Sequence, residues 1–197
     1  MEDLTVEAPL VLGERSSVMV QVSVGEADER GWRGVRVFGR SGEGGWTRYA
    51  TGVLSPVVGV PEAVVGVWPP SGAEPVGLAG LYERLAGRGY QYGPLFQGLK
   101  AVWRQGREWF AEVVLPGDGG VSGYGIHPAL LDAALHMLAA PSGGAVEEVR
   151  LPFNFAGVGL YATGATALRV RLTPVDESGD TISLQLTDPT GAPVAHI

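Results

Sequence analysis

The sequence predicts an α+β fold in which antiparallel strands wrap around a central apolar helix. Three observations support this. Apolar and polar residues alternate with a period of two along much of the chain, as in half-buried strands. The 31 glycines and 14 prolines punctuate these segments, where turns are needed. One nearly all-apolar helical segment has strand segments on both sides in the sequence, which is the pattern of a hot-dog architecture.

Residues 1–54 are predicted to form strands of a first, partial hot-dog. The alternation is clearest from Val18 to Val24, where every second residue is valine, and it recurs at 4–8, 35–37 and 46–54. A sheet of this kind has one apolar face that must be buried against another element. No stretch before residue 78 has ten residues of helical periodicity, so we expect this first hot-dog to be incomplete.

Residues 55–90 are predicted to be a linker with a short helix. The segment 55–77 contains five prolines and no basic residue, which is typical of a connection between two halves. A short amphipathic helix follows, with one apolar side made of Leu78, Leu81, Tyr82 and Leu85.

Residues 91–197 are predicted to form the C-terminal hot-dog. Strands are expected near 98–105, 108–115, 149–153, 165–173, 180–187 and 192–197. Between them lies a helix of about twelve residues, with Pro128 suited to its first turn and Pro141 to its end. Leu131, Leu135 and Leu138 predict its apolar stripe, which Leu130 and Met137 widen.

The two polar side chains within this helix are the candidates for chemistry. Asp132 and His136 are four residues apart and therefore lie on one face, one turn from each other. They could be an ordinary acid–base contact facing solvent. Alternatively, the apolar groove favours the protonated form of the carboxyl, and Asp132 acts as a general acid held by the imidazole. The apolar surroundings favour the second interpretation, because an unused charge there would be costly.

The other histidines are assigned no chemistry. His127 is expected to be structural, at the start of the helix, and His196 to be an exposed strand residue. A metal site made of His127, Asp132 and His136 is disfavoured by the spacing of His127, so no metal is expected.

Composition excludes several classes of function. With 14 basic and 21 acidic residues the net charge is −7, which argues against a nucleic-acid-binding face. The absence of cysteine removes disulfides and thiolate chemistry. No apolar run is long enough to span a membrane and no signal pattern is present, so we expect a cytoplasmic chain without a membrane role. Nucleotide-binding and acyl-hydrolase motifs are absent from the sequence as well.

Three motifs together resemble the dehydratase domain of modular type I polyketide synthases of the actinobacterial type. The flanking segments Leu4–Leu12, Trp46–Leu54, Leu160–Arg169 and Asp188–Val194 are similar as well, so the resemblance runs from about residue 3 to the end. The motifs are Tyr92-Gly-Pro-Leu-Phe-Gln-Gly98, His127-Pro-Ala-Leu-Leu-Asp-Ala-Ala-Leu-His136 and Leu151-Pro-Phe153.

The resemblance implies a double hot-dog fold and the elimination of water from a β-hydroxyacyl chain. In that family an aspartate on the second hot-dog helix protonates the departing hydroxyl, and Asp132 matches it. His136 matches the glutamine or histidine that orients this aspartate. The substrate tunnel is then expected to be lined by Tyr92, Gly93, Pro94, Phe96, Leu151, Pro152 and Phe153.

One departure from the family is informative. The family's catalytic base is a histidine in a His-x3-Gly-x4-Pro-Gly segment before the Leu4–Leu12 strand, and none of the three histidines here belongs to such a segment. The chain therefore resembles the C-terminal two-thirds of the domain, and we expect it to be inactive by itself.

The resemblance also implies partners. The substrate would be carried on the phosphopantetheine arm of an acyl carrier protein, with no cofactor bound to the domain itself. Other domains of the same megasynthase and a homodimeric parent are expected. Alternatives are an inert structural or dimerisation element, a double-bond isomerase and a pyran-forming cyclase; Asp132 favours dehydration over a pure double-bond shift.

Overall fold

The computed structural model describes residues 1–13, 15–56, 63, 66–117, 120, 122–139 and 151–197. The chain divides into two compact units. The first unit comprises Met1–Gly59, Arg150–Gly159 and Ile197, and the second comprises Val60–Val149 and Leu160–His196. The described strands form two antiparallel sheets, one of five strands and one of seven.

The described residues form strands and two α-helices. The strands are β1 (Asp3–Val6), β2 (Val18–Ala27), β3 (Arg33–Ser41), β4 (Thr47–Leu54), β5 (Glu74–Pro75), β6 (Leu99–Gln105), β7 (Glu108–Val114), β8 (Asn154–Ala156), β9 (Gly159–Leu160), β10 (Ala167–Pro174), β11 (Ile182–Thr187) and β12 (Pro193–His196). The helices are α1 (Leu81–Gly87) and α2 (Pro128–Leu135), and short 3₁₀ turns occupy Pro94–Phe96 and His136–Ala139.

The first sheet has the strand order β2-β3-β4-β1-β8, which confirms the strands predicted between residues 3 and 54. Its register aligns apolar residues on one face, because Val22 lies opposite Val37, Val37 opposite Ala50, and Ala50 opposite Val6. Three valines of β2 on this face, Val20, Val22 and Val24, are more than half exposed. None of the described residues of this unit forms a helix.

The strand predicted near 149–153 is wrong for residues 151–153, and residues 149–150 lie outside the described residues. The described residues 151–153 form no strand, and the strand that follows, β8, pairs with β1 of the first sheet. Phe155 lies opposite Leu4, and the Asn154 side-chain amide donates to Thr5 Oγ1 over 3.0 Å. Arg150–Gly159 therefore groups with the first unit, although the sequence pattern placed it in the C-terminal half.

The second sheet has the strand order β5-β6-β7-β10-β11-β12-β9. The strands predicted near 98–105, 108–115, 165–173, 180–187 and 192–197 correspond to β6, β7, β10, β11 and β12 within two residues at every end. The buried side chains of these strands alternate most clearly in β10, whereas the neighbours Phe110 and Ala111 in β7 are both buried. This buried set consists mainly of Val102, Ala111, Val113, Leu168, Val170, Leu172, Leu184, Leu186 and Val194.

Helix α2 packs against β7 and β10 of this sheet. It is shorter than predicted, since eight helical residues are followed by a 3₁₀ turn, and Pro141 lies outside the described residues. The predicted stripe is wrong for its three central leucines, because Leu131 and Leu135 are half-buried and Leu138 is exposed. The fully buried face consists of Leu130 and Met137, which were predicted to widen the stripe, together with Ala129, Ala133 and Ala134.

The small size of the residues at the contact explains why this face of α2 is the buried one. A Cβ placed on Gly98 would lie 2.8 Å from the carbonyl oxygen of Val114 and 3.1 Å from the Cβ of Ala133. The helix therefore approaches the strands so closely that alanine and glycine are needed at the contact. None of the helices in the described ranges is long and apolar enough to cross a membrane.

Candidate active site

The start of α2 is fixed by its own sequence. Pro128 occupies the first turn, where its missing N–H costs nothing. His127 caps the helix, because its Nδ1 accepts the Ala129 backbone N–H over 3.1 Å. Its ring also meets the ring of Tyr124 edge-on, with centroids 5.0 Å apart. The prediction that His127 is a structural residue at the helix start is therefore confirmed.

The predicted acid–base pair is formed one turn further along α2. His136 Nε2 and Asp132 Oδ2 are 3.0 Å apart. The two side chains differ in burial, since that of His136 is 3% exposed and that of Asp132 is 37% exposed. The imidazole is therefore an internal support, whereas the carboxyl that it holds remains accessible from outside.

Helix α1 contributes a residue that the sequence analysis treated only as part of an apolar face. The Tyr82 hydroxyl lies 3.3 Å from His136 Nδ1 and accepts the Leu99 backbone N–H over 3.2 Å. Burial raises the pKa of Tyr82; the hydrogen bond from Leu99 opposes this shift and the charge of Asp132 adds to it. Tyr82 therefore keeps its proton at neutral pH.

Tyr92 covers the other side of the histidine ring. Its ring centroid is 4.2 Å from that of His136, and it also meets the ring of Tyr82 edge-on at 6.2 Å. The side-chain amide of Gln97 donates to the Tyr92 carbonyl over 2.9 Å and so fixes the backbone there. Burial raises the pKa of Tyr92 to about 12, and the charge of Asp132 acts in the same direction.

The structure thus brings Asp132 and His136 together, as the sequence predicted, and packs Tyr92 against His136, a contact that the sequence did not predict. Gly93 begins the turn that follows, because its carbonyl accepts the Phe96 N–H over 2.9 Å, and Pro94 opens the 3₁₀ turn. Leu151, Pro152 and Phe153 are exposed and belong to the first unit. Their place in a tunnel stays a prediction.

The remaining histidine and the metal hypothesis add nothing to this site. His196 ends β12 as predicted, but it is half-buried rather than exposed. Within the part of the chain that the structure describes, no group of three or more His, Cys, Asp or Glu side chains could hold a metal ion. His127 uses its Nδ1 to cap α2 rather than to approach Asp132.

The arrangement suits delivery of a proton from an exposed carboxyl. One carboxyl oxygen of Asp132 is bonded to a buried imidazole, and Oδ1 accepts no hydrogen bond from any described residue. Chemistry of this kind needs an acid whose orientation is fixed while one oxygen stays free. Sequence reasoning missed Tyr82, although a tyrosine on a buried helix face usually needs a partner for its hydroxyl.

Comparison with known proteins identifies one family. The family model described as "Polyketide synthase dehydratase N-terminal domain" matches residues 63–197. Among curated proteins, the chain is 48% identical over 203 residues to the mycoketide-CoA synthase of Mycobacterium tuberculosis. That match covers all of this chain but only 5% of the relative.

Solved structures indicate the same family. The chain is similar to the dehydratase domain from the terminal module of the rifamycin polyketide synthase, with 42% identity and a TM-score of 0.89 over 99% of this chain and 71% of that one. It is also similar to the bifunctional dehydratase-cyclase domain of ambruticin biosynthesis, with 40% identity and a TM-score of 0.84 over 99% and 72% of the two chains. Both likenesses agree with the hot-dog fold predicted from the sequence.

Proposed function

This chain belongs to the polyketide synthase dehydratase family, and we propose that it supplies the general acid for eliminating water from a β-hydroxyacyl thioester. The product is the α,β-enoyl thioester. The observation that carries the proposal is the accessible carboxyl of Asp132, bonded through Oδ2 to the buried imidazole of His136 over 3.0 Å.

The elimination balances with Asp132 as the acid. A base takes a proton from the α-carbon, the released electron pair forms the double bond, and the bond from the β-carbon to oxygen breaks. Asp132 gives its proton to the departing oxygen, so water leaves instead of hydroxide. His136, which donates through Nε2–H to Oδ2, leaves Oδ1 available for this transfer.

The base is not among the histidines of this chain. His136 is enclosed, with Tyr82 at Nδ1 and Asp132 at Nε2, and His127 uses Nδ1 to cap α2. His196 lies at the end of β12. By the family resemblance, the proposed base is a histidine in a His-x3-Gly-x4-Pro-Gly segment, a pattern that these 197 residues do not contain. We therefore expect no dehydration by the chain alone.

The acyl chain is proposed to lie beside the motif turn. Tyr92 packs on the His136 ring, and the backbone of Gly93, Pro94 and Phe96 continues from it.

The proposed context is a multidomain synthase in the cytoplasm. The curated relative is a synthase of which this chain matches a small part. By resemblance, the substrate arrives on the phosphopantetheine arm of an acyl carrier protein, other domains of the same megasynthase act before and after, and the parent is a homodimer.

A second activity has one observation in its favour. The ambruticin relative is described as a bifunctional dehydratase-cyclase domain. Pyran closure after dehydration is therefore the alternative that we retain first. A pure double-bond isomerase would not need an acid placed to protonate a leaving hydroxyl, and an inert structural element would not need an ordered Asp132–His136 pair.

The test compares two forms of the protein. The first is the 197-residue chain, and the second is the same chain joined at its N-terminus to a segment with the His-x3-Gly-x4-Pro-Gly pattern of the family, hereafter the extended domain. Each is incubated with a 3-hydroxyacyl phosphopantetheine thioester, and enoyl product is followed by mass spectrometry. We expect turnover by the extended domain and a rate lower by a factor of roughly 10² to 10⁴ for the chain alone.

Equal turnover by the two forms would contradict the assignment of the base to that segment. A folded extended domain without turnover, while the rifamycin domain converts the same substrate, would contradict the dehydratase proposal and favour the inert element. A substrate that carries a further hydroxyl, with the product analysed by NMR, separates enoyl from pyran.

A further inference from the structure

Tyr82 connects three elements around the candidate acid. It lies on α1, accepts a hydrogen bond from the first residue of β6, and faces the histidine that follows α2. Its hydroxyl and His136 Nδ1 are 3.3 Å apart, although 54 residues separate them in the sequence. The link therefore depends on the tertiary fold and is not a local turn contact.

The protons around Tyr82 can be counted. The Leu99 N–H points at the phenolic oxygen, so Tyr82 is an acceptor in that bond. Its own proton then needs an acceptor, because leaving the proton of a partly buried hydroxyl without one is destabilising. Within the described residues the acceptor at hand is His136 Nδ1. If Nδ1 carried a proton instead, the Tyr82 proton would have no acceptor there.

We infer that Tyr82 is a positioning residue that fixes the tautomer of His136 and, through it, the orientation of the Asp132 carboxyl. The resulting relay runs from Leu99 N–H to Tyr82, from Tyr82 O–H to Nδ1, and from Nε2–H to Asp132 Oδ2. The histidine ring is neutral and donates to the carboxyl, so Oδ1 can carry the proton for the leaving group. This function of the relay rests on the proposed dehydration.

Two further observations support a fixed, protonated Tyr82. Burial raises its pKa, so the hydroxyl keeps the proton that the relay requires. The ring is also enclosed: the Tyr92 ring meets it edge-on at 6.2 Å and the His136 ring at 5.6 Å. Tyr92 touches the same imidazole with its ring, but no hydrogen bond joins the two side chains.

The direct test is a spectroscopic one on the 197-residue chain. ¹⁵N resonances of the imidazoles are recorded near pH 7 for the wild type and for Tyr82→Phe, which keeps the ring and its packing. The signals of His136 are assigned by their loss in His136→Gln. We expect an unprotonated Nδ1 in the wild type, and a move of this resonance in Tyr82→Phe toward that of an unbonded ring nitrogen.

The matched control is Tyr161→Phe. Tyr161 is half-buried in the same unit, and its hydroxyl forms no hydrogen bond with a described residue. This variant should leave the His136 resonances unchanged. A protonated Nδ1 in the wild type, or an Nδ1 resonance that does not move in Tyr82→Phe, would overturn the inference.

The second arm measures turnover in the extended domain. Tyr82→Phe should lower kcat by about tenfold, the value of one lost hydrogen bond, while KM stays within about twofold. In the background of His136→Gln the same substitution should cost less than about twofold, because an amide has no tautomer to set. Equal losses in both backgrounds would mean that Tyr82 acts through packing and would overturn the inference.

The two proposals can fail separately. If the extended domain shows no turnover, the dehydration proposal fails, and the ¹⁵N experiment still decides whether Tyr82 sets the state of His136. If turnover is present and the Nδ1 resonance does not respond to Tyr82→Phe, the dehydration proposal stands and the relay is wrong.

Discussion

The two sheets of this chain share one pattern of alternating apolar residues but bury it to very different extents. Val22 of β2 is 60% exposed, whereas Val170 of β10 is 0% exposed. Both residues lie on the apolar face of a long strand in an antiparallel sheet. The two residues differ in exposure because helix α2 packs against the second sheet, whereas none of the described residues of the first unit forms a helix. A strand pattern specifies which face is apolar, but not what covers it.

The largest effect of this difference should be on stability. Val170→Ala removes two methyl groups from a fully buried position and should lower the free energy of unfolding by about 1.5–3 kcal/mol. Val22→Ala makes the same change on an exposed position and should stay within about 0.5 kcal/mol. Urea denaturation of both variants, with circular dichroism to confirm that each folds, measures the two costs. Equal costs would show that Val22 is covered in solution.

Amide exchange should divide the chain in the same way. The backbone hydrogen bonds of β2 lie beneath exposed valines, so they should open at a lower free energy than those of α2 and β10. The same exposed face should favour self-association. Hydrogen–deuterium exchange of the 197-residue chain, at a concentration where it is monomeric, should therefore show β2 exchanging first. Equal protection in a monomer would mean that another element covers the first sheet.

The dependence of stability on pH should be a smaller effect, opposite in direction for the two units. In the second unit, burial raises the pKa of Tyr92 to about 12. Folding thus favours the protonated phenol of Tyr92. Its contribution to the stability of the fold is complete below pH 10, the ordinary pKa of tyrosine, and is lost as the pH rises toward 12. In the first unit, hydrogen bonds from Arg48 and Thr51 lower the pKa of Glu7. The contribution of the ionised Glu7 carboxylate to the stability of the fold is present above pH 4.5, its ordinary pKa, and is lost as the pH falls.

Two variants isolate these contributions. Thermal unfolding of Tyr92→Phe should lose less stability than the wild type between pH 10 and about 12. Thermal unfolding of Glu7→Gln should lose less than the wild type below pH 4.5. Curves that run parallel to the wild type in both windows would remove these two groups from the pH response of the fold.

The sequence predicted the strands well because the alternation of apolar and polar residues within each strand indicates which side chains face the core. It predicted the Asp132–His136 pair for a similar reason, since residues four apart on a helix are always neighbours. It did not predict that β8 pairs with β1, because a pairing across some 150 positions leaves no local pattern in a single sequence. The buried face of α2 was misjudged because leucines were weighed above alanines, whereas the close approach at Gly98 and Ala133 favours small residues.

Tyr82 illustrates the same limit at the site. Its spacing from Leu81 and Leu85 places it on the buried side of α1, which is correct as far as packing goes. Its hydroxyl acquires a role only when α1, β6 and α2 come together. A local sequence pattern can therefore predict an acid and its neighbour on the same helix, here Asp132 and His136. The residues that hold His136 in place are visible only in the tertiary structure.

The central claim is that Asp132 is a proton donor held in place by His136, and one comparison of turnover tests it directly. In the extended domain, Asp132→Asn keeps the shape of the side chain and removes its transferable proton, whereas His136→Gln keeps a donor for the carboxyl. We predict that Asp132→Asn lowers the rate of dehydration by a factor of roughly 10² to 10⁴ and that His136→Gln costs far less. An Asp132→Asn domain within about tenfold of the wild type would return the pair to an ordinary helical contact. A His136→Gln domain as inactive as Asp132→Asn would make the imidazole, and not the carboxyl it holds, a proton donor in its own right.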